Sequence, residues 1–224
     1  MALIIGIETA TKNCSVALFK NGIVIVEKEH ITDSYSHSEQ LTVFIQCVME
    51  SANISLNKVE AVALSMGPGS YTGLRIGTST AKGLCYALDV PLIAISTLKA
   101  MAFSMSKNKC SAIYCPMIDA RRMEVFSALF DINNKQIRGV QADVVDVNTY
   151  KEFLVNEIIF FGDGSFKCKE IINHKNAKFV DGIYPSAKNL GFLAKNKFKN
   201  NDFEDVAYFE PYYLKDFVVG QKKP

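Results

Sequence analysis

Two hydrophobic patterns divide the first part of the chain into strands and helices. Apolar runs at residues 2–7 and 59–65 predict buried strands, and segments at 15–19 and 23–27 predict two more. Asn21-Gly22 lies between the last two, and this dipeptide favours a tight hairpin turn. The chain is therefore expected to begin with a three-strand meander.

The first helix is predicted over residues 37–52, where the following apolar side chains recur at helical spacing: Leu41, Phe44, Ile45, Val48, Met49 and Ala52. Ser36 is expected to cap its N-terminus, and Glu39 would complete a capping box. Asn53 is expected to end the helix in a left-handed conformation.

The remaining elements repeat the order of the first ones. The first half continues with helix 71–88, strand 92–95 and helix 97–105. The second half is predicted as strands 113–119, 124–130 and 136–140, a short helix 149–155, strand 158–162, helix 166–172, a short strand 179–180 and a helix 185–197. Two β-β-β-α-β-α units in tandem predict a duplicated α/β fold, which by itself indicates no chemistry.

Composition narrows the possible functions. The 224 residues are 49% apolar, and the formal net charge of +2 gives no basic stripe of the kind that a lone nucleic-acid binder carries. The longest basic cluster lies at 221–224, which we expect to be a frayed tail. The first apolar run is too short for a secretory leader or a membrane span, so we expect a cytoplasmic protein.

The cysteines favour a reducing compartment. Six are present, and none forms a Cys-x-x-Cys pair. Cys110 and Cys115 have the spacing of half a metal site, but the other half is missing from the sequence. Ordinary buried thiols are the better interpretation.

A glycine-rich turn at 67–77 separates a predicted strand from a predicted helix. Such a turn, with Gly67, Gly69 and Ser70 before the helix, can present backbone N–H groups to an anion. It lacks the Gly-Lys-Ser/Thr of a Walker A loop, and its glycines also have a purely geometric explanation. Farther along the helix, small residues recur at intervals of four and allow close approach of either this chain or a partner: Gly73, Gly77 and Ala81.

Motifs in order along nearly the whole chain carry a family resemblance. They lie at 5–11, 14–18, 37–41, 67–77, 81–84, 90–91, 95–98, 119–125 and 211–215. They include His37-Ser38-Glu39-Gln40-Leu41 and Asp119-Ala120-Arg121-Arg122. Together they resemble the TsaB (YeaZ) family, whose members take part in forming N6-threonylcarbamoyladenosine at position 37 of tRNAs that read ANN codons.

The resemblance implies an actin-like (ribonuclease H-like) ATPase fold with two lobes, here 1–106 and 107–224, the last segment packing back on the first lobe. It also implies partners: the catalytic paralogue TsaD in a heterodimer, the small ATPase TsaE, and a homodimer when TsaD is absent. No cofactor of its own is expected, because ATP or ADP and a metal ion belong to the partner subunits. Contact with tRNA would be indirect, through the complex, and no membrane is involved.

The departures from TsaD imply that this chain is not the catalytic subunit. TsaD carries a His-x-x-x-His metal pair just after the Val-Pro strand, and the matching positions here are Thr97 and Met101. A hydroxyl and a thioether are poor replacements for two imidazoles at such a metal. The acidic residues that follow the first Glu-Thr in TsaD are replaced by Lys12 and Asn13. We therefore expect a non-catalytic scaffold with no metal.

Other polar residues lend themselves to weaker hypotheses. His37 and Glu39 are two positions apart on a helix, so their side chains diverge and His37 is better seen as an interface contact. Glu8 and Asp119 each end a strand where this fold class places carboxylates around a nucleotide's metal, and Asp119 could instead pair with Arg121 or Arg122. Vestigial nucleotide or phosphate loops are expected at the following residues: Glu8, Thr9, Gly67, Gly69, Ser70, Gly162 and Gly164.

The leading hypothesis is a scaffold subunit that meets TsaD through its first two helices. The predicted contacts are His37, Leu41, Phe44, Ile45 and Val48 on the first, and Tyr71, Leu74, Thr78 and Lys82 on the second. Leu41→Asp or Thr78→Arg would then weaken the heterodimer. Three alternatives remain: an independent ATPase or kinase of the same fold, a direct tRNA-binding module, and a metalloprotease, for which no His-Glu-x-x-His motif is present.

Overall fold

The computed structural model describes residues 2–32, 36–106 and 111–215. Two five-stranded sheets form its framework. The first contains β1 (Leu3–Glu8), β2 (Asn13–Lys20), β3 (Ile23–Ile31), β4 (Ala61–Ser65) and β5 (Leu92–Ile95). The second contains β6 (Ile113–Asp119), β7 (Glu124–Phe130), β8 (Gln136–Val144), β9 (Ile158–Phe161) and β10 (Ala177–Val180).

The two sheets have the same topology. The strand order is β3-β2-β1-β4-β5 in the first and β8-β7-β6-β9-β10 in the second. In both, the first three strands run antiparallel and the last two join in parallel. The predicted duplication is therefore confirmed.

Four α-helices cover the sheets in the described ranges: α1 (His37–Ala52), α2 (Tyr71–Leu88), α3 (Thr97–Ser106) and α4 (Gly191–Lys199). The apolar sides of α1 and α2 lie on one face of the first sheet, where Leu41, Val48 and Ala81 join strand residues such as Ile5 and Val62 in one core. On the opposite face, Leu190 and Ala194 pack with Ile4 and Ile93. α3 contacts the second sheet through Leu98, Met101 and Ala102.

The predicted ends of α1 and α2 are confirmed, but the predicted N-terminal cap of α1 is not. Asn53 (φ 52°) and Asp89 (φ 54°) are left-handed and end the two helices. Ser36 caps no backbone N–H through its side chain, so the predicted capping box is wrong. Its hydroxyl lies 3.4 Å from that of Thr32 instead. At α2, Ser70 does cap, accepting a hydrogen bond from the Gly73 N–H at 3.3 Å.

Three helix predictions in the second half are corrected. Residues 147–156 form successive turns rather than a helix at 149–155. The helix predicted at 166–172 is a single 3₁₀ turn, Phe166–Cys168, and the one predicted at 185–197 divides into a 3₁₀ turn, Ala187–Asn189, and α4. A buried polar cluster explains the turns, because Asp143 accepts hydrogen bonds from Tyr150 at 2.7 Å and from Arg138 at 2.5 Å and fixes the segment without helix formation.

A C-terminal strap, residues 200–215, follows α4 and returns to the first lobe. Glu204 forms an isolated antiparallel bridge with Leu92 of the edge strand β5. Val206 and Phe209 then pack against the α1–α2 side of the first sheet, whereas α4 lies on its other face. The strap therefore passes around the edge of this sheet. Within the described ranges no helix is long and apolar enough to cross a membrane, and the basic cluster at 221–224 lies outside them.

Candidate functional site: the outer face of two helices and the turn between them

The small-residue ridge of α2 packs against this chain itself. A Cβ on Gly73 would lie 2.1 Å from the Thr9 carbonyl oxygen, and one on Gly77 would lie 2.3 Å from Thr9 Oγ1. The Thr9 hydroxyl donates a hydrogen bond to the Gly73 carbonyl at 2.8 Å. The ridge thus brings α2 close to the turn after β1, and it is not a surface for a partner helix.

His37 is an internal residue. It is 1% exposed, and its Nε2 lies 2.8 Å from the carbonyl oxygen of Thr11. Burial lowers the pKa of the imidazole, which favours its neutral form. The prediction that His37 contacts a partner is therefore corrected: it joins the start of α1 to the loop after β1.

Five of the predicted apolar contacts also face inward. Their exposed fractions do not exceed 7%, and all belong to the side chains that cover the first sheet or the glycine-rich turn: Leu41, Phe44, Ile45, Val48 and Leu74. The reason is that an amphipathic helix first buries its apolar stripe against its own sheet. Leu41→Asp would therefore unfold the lobe rather than report on docking.

Some of the predicted contacts border two depressions on either side of α2. A groove of about 770 Å³ lies between α1 and α2, and the buried Ile45 is at its floor. We call it the helix groove, and it is lined mainly by Ile45, Met49, Ile54, Leu56, Thr80 and Leu84. On the other side of α2 a basic pocket of about 440 Å³ separates the helix from the strap. It is lined by Tyr71, Arg75, Thr78, Lys82, Tyr213 and Lys215, among others.

The basic pocket is held together by contacts between α2 and the strap. The Lys82 ammonium donates hydrogen bonds to the carbonyls of Ala207 at 3.0 Å and Phe209 at 3.2 Å. The Tyr71 and Tyr213 ring centroids are 4.8 Å apart, and the Arg75 guanidinium lies 4.7 Å from the centroid of Tyr71. Lys82 is thus a strap anchor, a role that its position in the sequence does not reveal.

The glycine-rich turn satisfies its polar groups internally. Thr97 Oγ1 accepts a hydrogen bond from the Gly67 N–H at 3.2 Å, while the Thr97 N–H donates to the Gly67 carbonyl at 3.0 Å. The Ser70 N–H donates to the Ala10 carbonyl at 2.7 Å, and the strap residue Tyr212 donates to the Met66 carbonyl at 2.7 Å.

Neighbouring backbone also packs directly against the glycines of this turn. Gly67 has a φ of +111°, and a Cβ there would lie 2.7 Å from the Tyr212 carbonyl oxygen. A Cβ on Gly69 would lie 2.4 Å from the carbonyl oxygen of Ala10. The geometric explanation of these glycines, close backbone approach, is therefore the one that the contacts support.

The second glycine turn is built in the same way. A Cβ on Gly162 would lie 2.1 Å from the Met117 carbonyl oxygen, and one on Gly164 would lie 2.8 Å from the Ile118 carbonyl carbon. Asp163, between them, accepts a hydrogen bond from the Asp119 N–H at 3.2 Å. Asp119 itself pairs with Lys167, rather than with Arg121 or Arg122, in the described residues.

Two carboxyl groups that follow strands, Glu8 and Asp163, are both buried. Glu8 is 1% exposed, and burial raises its pKa to about 7 although the Ala10 N–H donates to it at 2.6 Å. Burial likewise raises the pKa of Asp163 to about 6, and each charge opposes the ionisation of its neighbours. These groups could exchange protons near neutral pH, and the Ser65 hydroxyl hydrogen-bonds to Glu8.

The positions that match the metal-binding pair are both inside the protein. Thr97 is 0% exposed and Met101 is 1% exposed. In the part of the chain that the structure describes, no three His, Cys, Asp or Glu side chains group as metal ligands. Cys115 is fully buried and its pKa is raised by burial, whereas its predicted half-site mate Cys110 lies outside the described residues.

Comparison with known proteins identifies the family. The family model for TsaD, tRNA N6-adenosine threonylcarbamoyltransferase, matches residues 31–222. The tRNA threonylcarbamoyladenosine biosynthesis protein TsaB of Escherichia coli is 29% identical over 99% of this chain and 98% of its own length. TsaB of Bacillus subtilis is 28% identical over 95% of this chain and 93% of its own length.

Among solved structures, YeaZ from Pseudomonas aeruginosa has the same fold. Its TM-score is 0.79 at 22% identity, with 96% of this chain and 100% of that chain covered. The two-lobed actin-like α/β fold is thus the fold of this protein. The chain belongs to the family that this model describes, and within it the chain is similar to the TsaB proteins along nearly its whole length.

Proposed function

We propose that this chain is a non-catalytic scaffold or activating subunit for the formation of N6-threonylcarbamoyladenosine in tRNA. One observation carries the proposal: where the catalytic paralogue holds its His pair, this chain has Thr97 and Met101, both buried and neither facing solvent. The Thr97 hydroxyl is committed to Ser65 and to the glycine-rich turn. These residues serve packing and leave no ligand for a transfer-competent metal.

The outer face of α1 and α2 is the proposed docking surface for the TsaD-like catalytic subunit. The helix groove leaves Ile54, Leu56 and Leu84 partly exposed, and apolar grooves between helices are common protein-binding sites. Val43 is 51% exposed on α1, so apolar area of this helix continues beyond the groove. Partner binding would remove this area from water.

Other subunits complete the proposed assembly in the cytoplasm. A TsaE-like ATPase binds the heterodimer, and the nucleotide and the metal ion stay on the partner subunits, so this chain needs no cofactor of its own. The tRNA contacts the chain only through the complex, in keeping with a net charge of +2.

Reconstitution tests the proposal. Purified chain, TsaD-like subunit, TsaE-like ATPase, a source of threonylcarbamoyl-adenylate and tRNA are combined, and the modified nucleoside is measured with each protein omitted in turn. Omission of either this chain or the TsaD-like subunit is expected to abolish the product. Product formed by this chain without the TsaD-like subunit would refute the proposal, and ATP turnover by the chain alone would favour an independent ATPase.

Groove variants test the docking surface. Thr80→Arg and Leu84→Asp change half-buried groove residues and should weaken the heterodimer, because each places a charge in an apolar interface. Lys178→Glu, on β10 of the other lobe, is the matched control. Equal affinity of all three variants for the TsaD-like subunit would reject this face.

A further inference from the structure

The basic pocket between α2 and the strap carries more positive than negative charge. Arg75, Lys82 and Lys215 line it, together with the carboxylate of Glu210. The Lys215 ammonium also pairs with Glu124, the first residue of β7. Three cations against two carboxylates leave an excess of one positive charge, so the pocket should attract an anion.

Arg75 is oriented by aromatic side chains rather than by a carboxylate. Its guanidinium lies 4.7 Å from the Tyr71 ring centroid, and the Tyr213 side chain is hydrogen-bonded to it. The ion pairs among the described residues involve other cations, and Arg75 is exposed. Because a guanidinium has several N–H donors in a planar fork, Arg75 retains donors for a further acceptor.

Thr78 adds a buried hydroxyl to the same pocket. The residue is 6% exposed and lines the pocket beside Arg75. Within the described ranges its Oγ1 has no hydrogen-bond partner. Buried polar groups in folded proteins are almost always hydrogen-bonded, so this hydroxyl indicates a partner that enters the pocket from outside the chain.

The size and the charge of the pocket favour one carboxylate as that partner. The volume is about 440 Å³, and the Tyr71 and Tyr213 rings in its wall can contact the methylene groups of an Asp or Glu side chain. An excess of one positive charge matches a single carboxylate better than a phosphate group, which carries up to about two negative charges. A polynucleotide fits poorly, because the net charge of the chain is only +2.

The fold holds the strap wall of the pocket in place before any ligand binds. Lys82 donates hydrogen bonds to the strap carbonyls of Ala207 and Phe209, and the Tyr212 N–H donates to the carbonyl of Met66. A wall that is already ordered loses little conformational freedom when a ligand binds. The pocket is therefore prepared for an incoming side chain.

We propose that the basic pocket binds an acidic segment of a partner protein, with one Asp or Glu carboxylate between Arg75 and Lys215. The Arg75 guanidinium and the Thr78 hydroxyl donate hydrogen bonds to this carboxylate. Recognition of acidic segments by arginine-centred pockets is a recurring mode of peptide binding. The inference does not depend on the proposed function, because the helix groove lies on the other side of α2.

Binding of an acidic peptide to the full chain tests the inference. The probe is a fluorescein-labelled hexaglutamate peptide with an amidated C-terminus, and fluorescence anisotropy at low salt measures its dissociation constant. Arg75→Gln should weaken binding about tenfold, since it removes a charge-assisted hydrogen bond. Thr78→Val should weaken it by a smaller factor, and Lys178→Gln on β10 is the matched control that should leave it unchanged.

Thermal melting separates binding from folding. Thr78→Val removes a hydroxyl that has no partner in the described residues, so this variant should melt no earlier than the wild type while still binding the peptide less tightly. If Arg75→Gln melts early because it loses its contact with Tyr71, Lys215→Gln replaces it and should also weaken binding.

Several results would overturn the inference. They are no binding of hexaglutamate to the wild type, equal binding of a labelled hexaglutamine peptide, and equal weakening by Arg75→Gln and Lys178→Gln, which would show only a general attraction between charges. Inorganic phosphate that displaces the peptide more effectively than acetate at matched ionic strength would assign the pocket to a phosphate ligand instead. None of these results bears on the reconstituted tRNA modification, which tests the proposed function separately.

Discussion

The side-chain oxygens of Ser65 and Thr97 lie 2.6 Å apart beside the glycine-rich turn. The same Thr97 oxygen accepts a hydrogen bond from the Gly67 N–H, and the Thr97 N–H donates to the Gly67 carbonyl. A position that the family resemblance matches to a metal ligand of the catalytic paralogue is thus part of the internal support of the turn here.

Replacing this hydroxyl should destabilise the fold. Thr97→Val leaves the Gly67 N–H without its buried partner and removes one of the hydrogen bonds of the Ser65 hydroxyl, which we expect to lower the free energy of unfolding by about 1–3 kcal/mol. Urea denaturation measures the change. Thr97→Ser keeps the hydroxyl and is the control, so an equal loss for Val and Ser would show that the hydrogen bonds contribute nothing.

Two glycines of α2 should respond to alanine in opposite ways. Gly73→Ala places a Cβ 2.1 Å from the Thr9 carbonyl oxygen, and the required backbone shift should destabilise the protein. A Cβ on Gly83 would meet nothing within 4 Å, so Gly83→Ala should stabilise α2 by roughly 0.5–1 kcal/mol through helix propensity. Thermal melting compares the two, and destabilisation by both substitutions would contradict the packing described for α2.

Glu8 should make stability depend on pH. Its pKa is raised from 4.5 to about 7 in the folded chain, chiefly by burial, so the folded state retains a proton that the unfolded state has lost. The stability that this difference contributes is present in full below pH 4.5 and is lost as pH rises through about 7. A shift of this size sets an upper bound of roughly 3 kcal/mol.

Glu8→Gln should remove this dependence, because the amide can still accept the Ala10 N–H and does not ionise. The measurement is urea unfolding of wild type and variant at several pH values between 4.5 and about 7. Asp163 also has a raised pKa, so it lowers stability in the same direction as pH rises. This contribution is present in both wild type and variant, and their difference therefore reports on Glu8. Parallel pH profiles would exclude Glu8 as the titrating group.

The strap should loosen when its anchor on α2 is removed. Lys82→Met keeps the aliphatic length but loses the two hydrogen bonds to the carbonyls of Ala207 and Phe209. Amide hydrogen exchange between 204 and 212 should become faster while exchange in the first sheet changes little. Lys178→Met is the control, and unchanged exchange in the strap would show that the apolar contacts of Phe209 suffice.

The sequence predicted those elements whose ends have a local cause. The bounds of α1 and α2 were predictable because Asn53 ends one helix and the glycine-rich turn begins the other. The turns at 147–156 were not, because the Arg138–Asp143–Tyr150 cluster joins residues whose pairing depends on the folded second sheet. The strap was foreseen only as a segment returning to the first lobe, without its contacts to Lys82 and Met66.

The predicted contacts on α1 illustrate a different kind of error. The apolar stripe of this helix predicts a partner surface, yet Leu41 and Val48 cover the first sheet. Periodicity gives the width of a stripe and not what covers it, so the helix groove could not be predicted from the sequence. The absence of the His pair at Thr97 and Met101 needed no structure, because it follows from the family resemblance together with the chemistry of the two side chains.

The path of the strap has a consequence for synthesis on the ribosome. Edge strand β5 is made early, but Glu204, which pairs with Leu92, is made more than a hundred residues later. Until then an apolar strand of the first lobe has an open hydrogen-bonding edge, the kind of surface that pairs wrongly with other chains. Nascent chains stalled before residue 204 should therefore aggregate or recruit chaperones, and chains long enough for Glu204 to reach Leu92 should be protected.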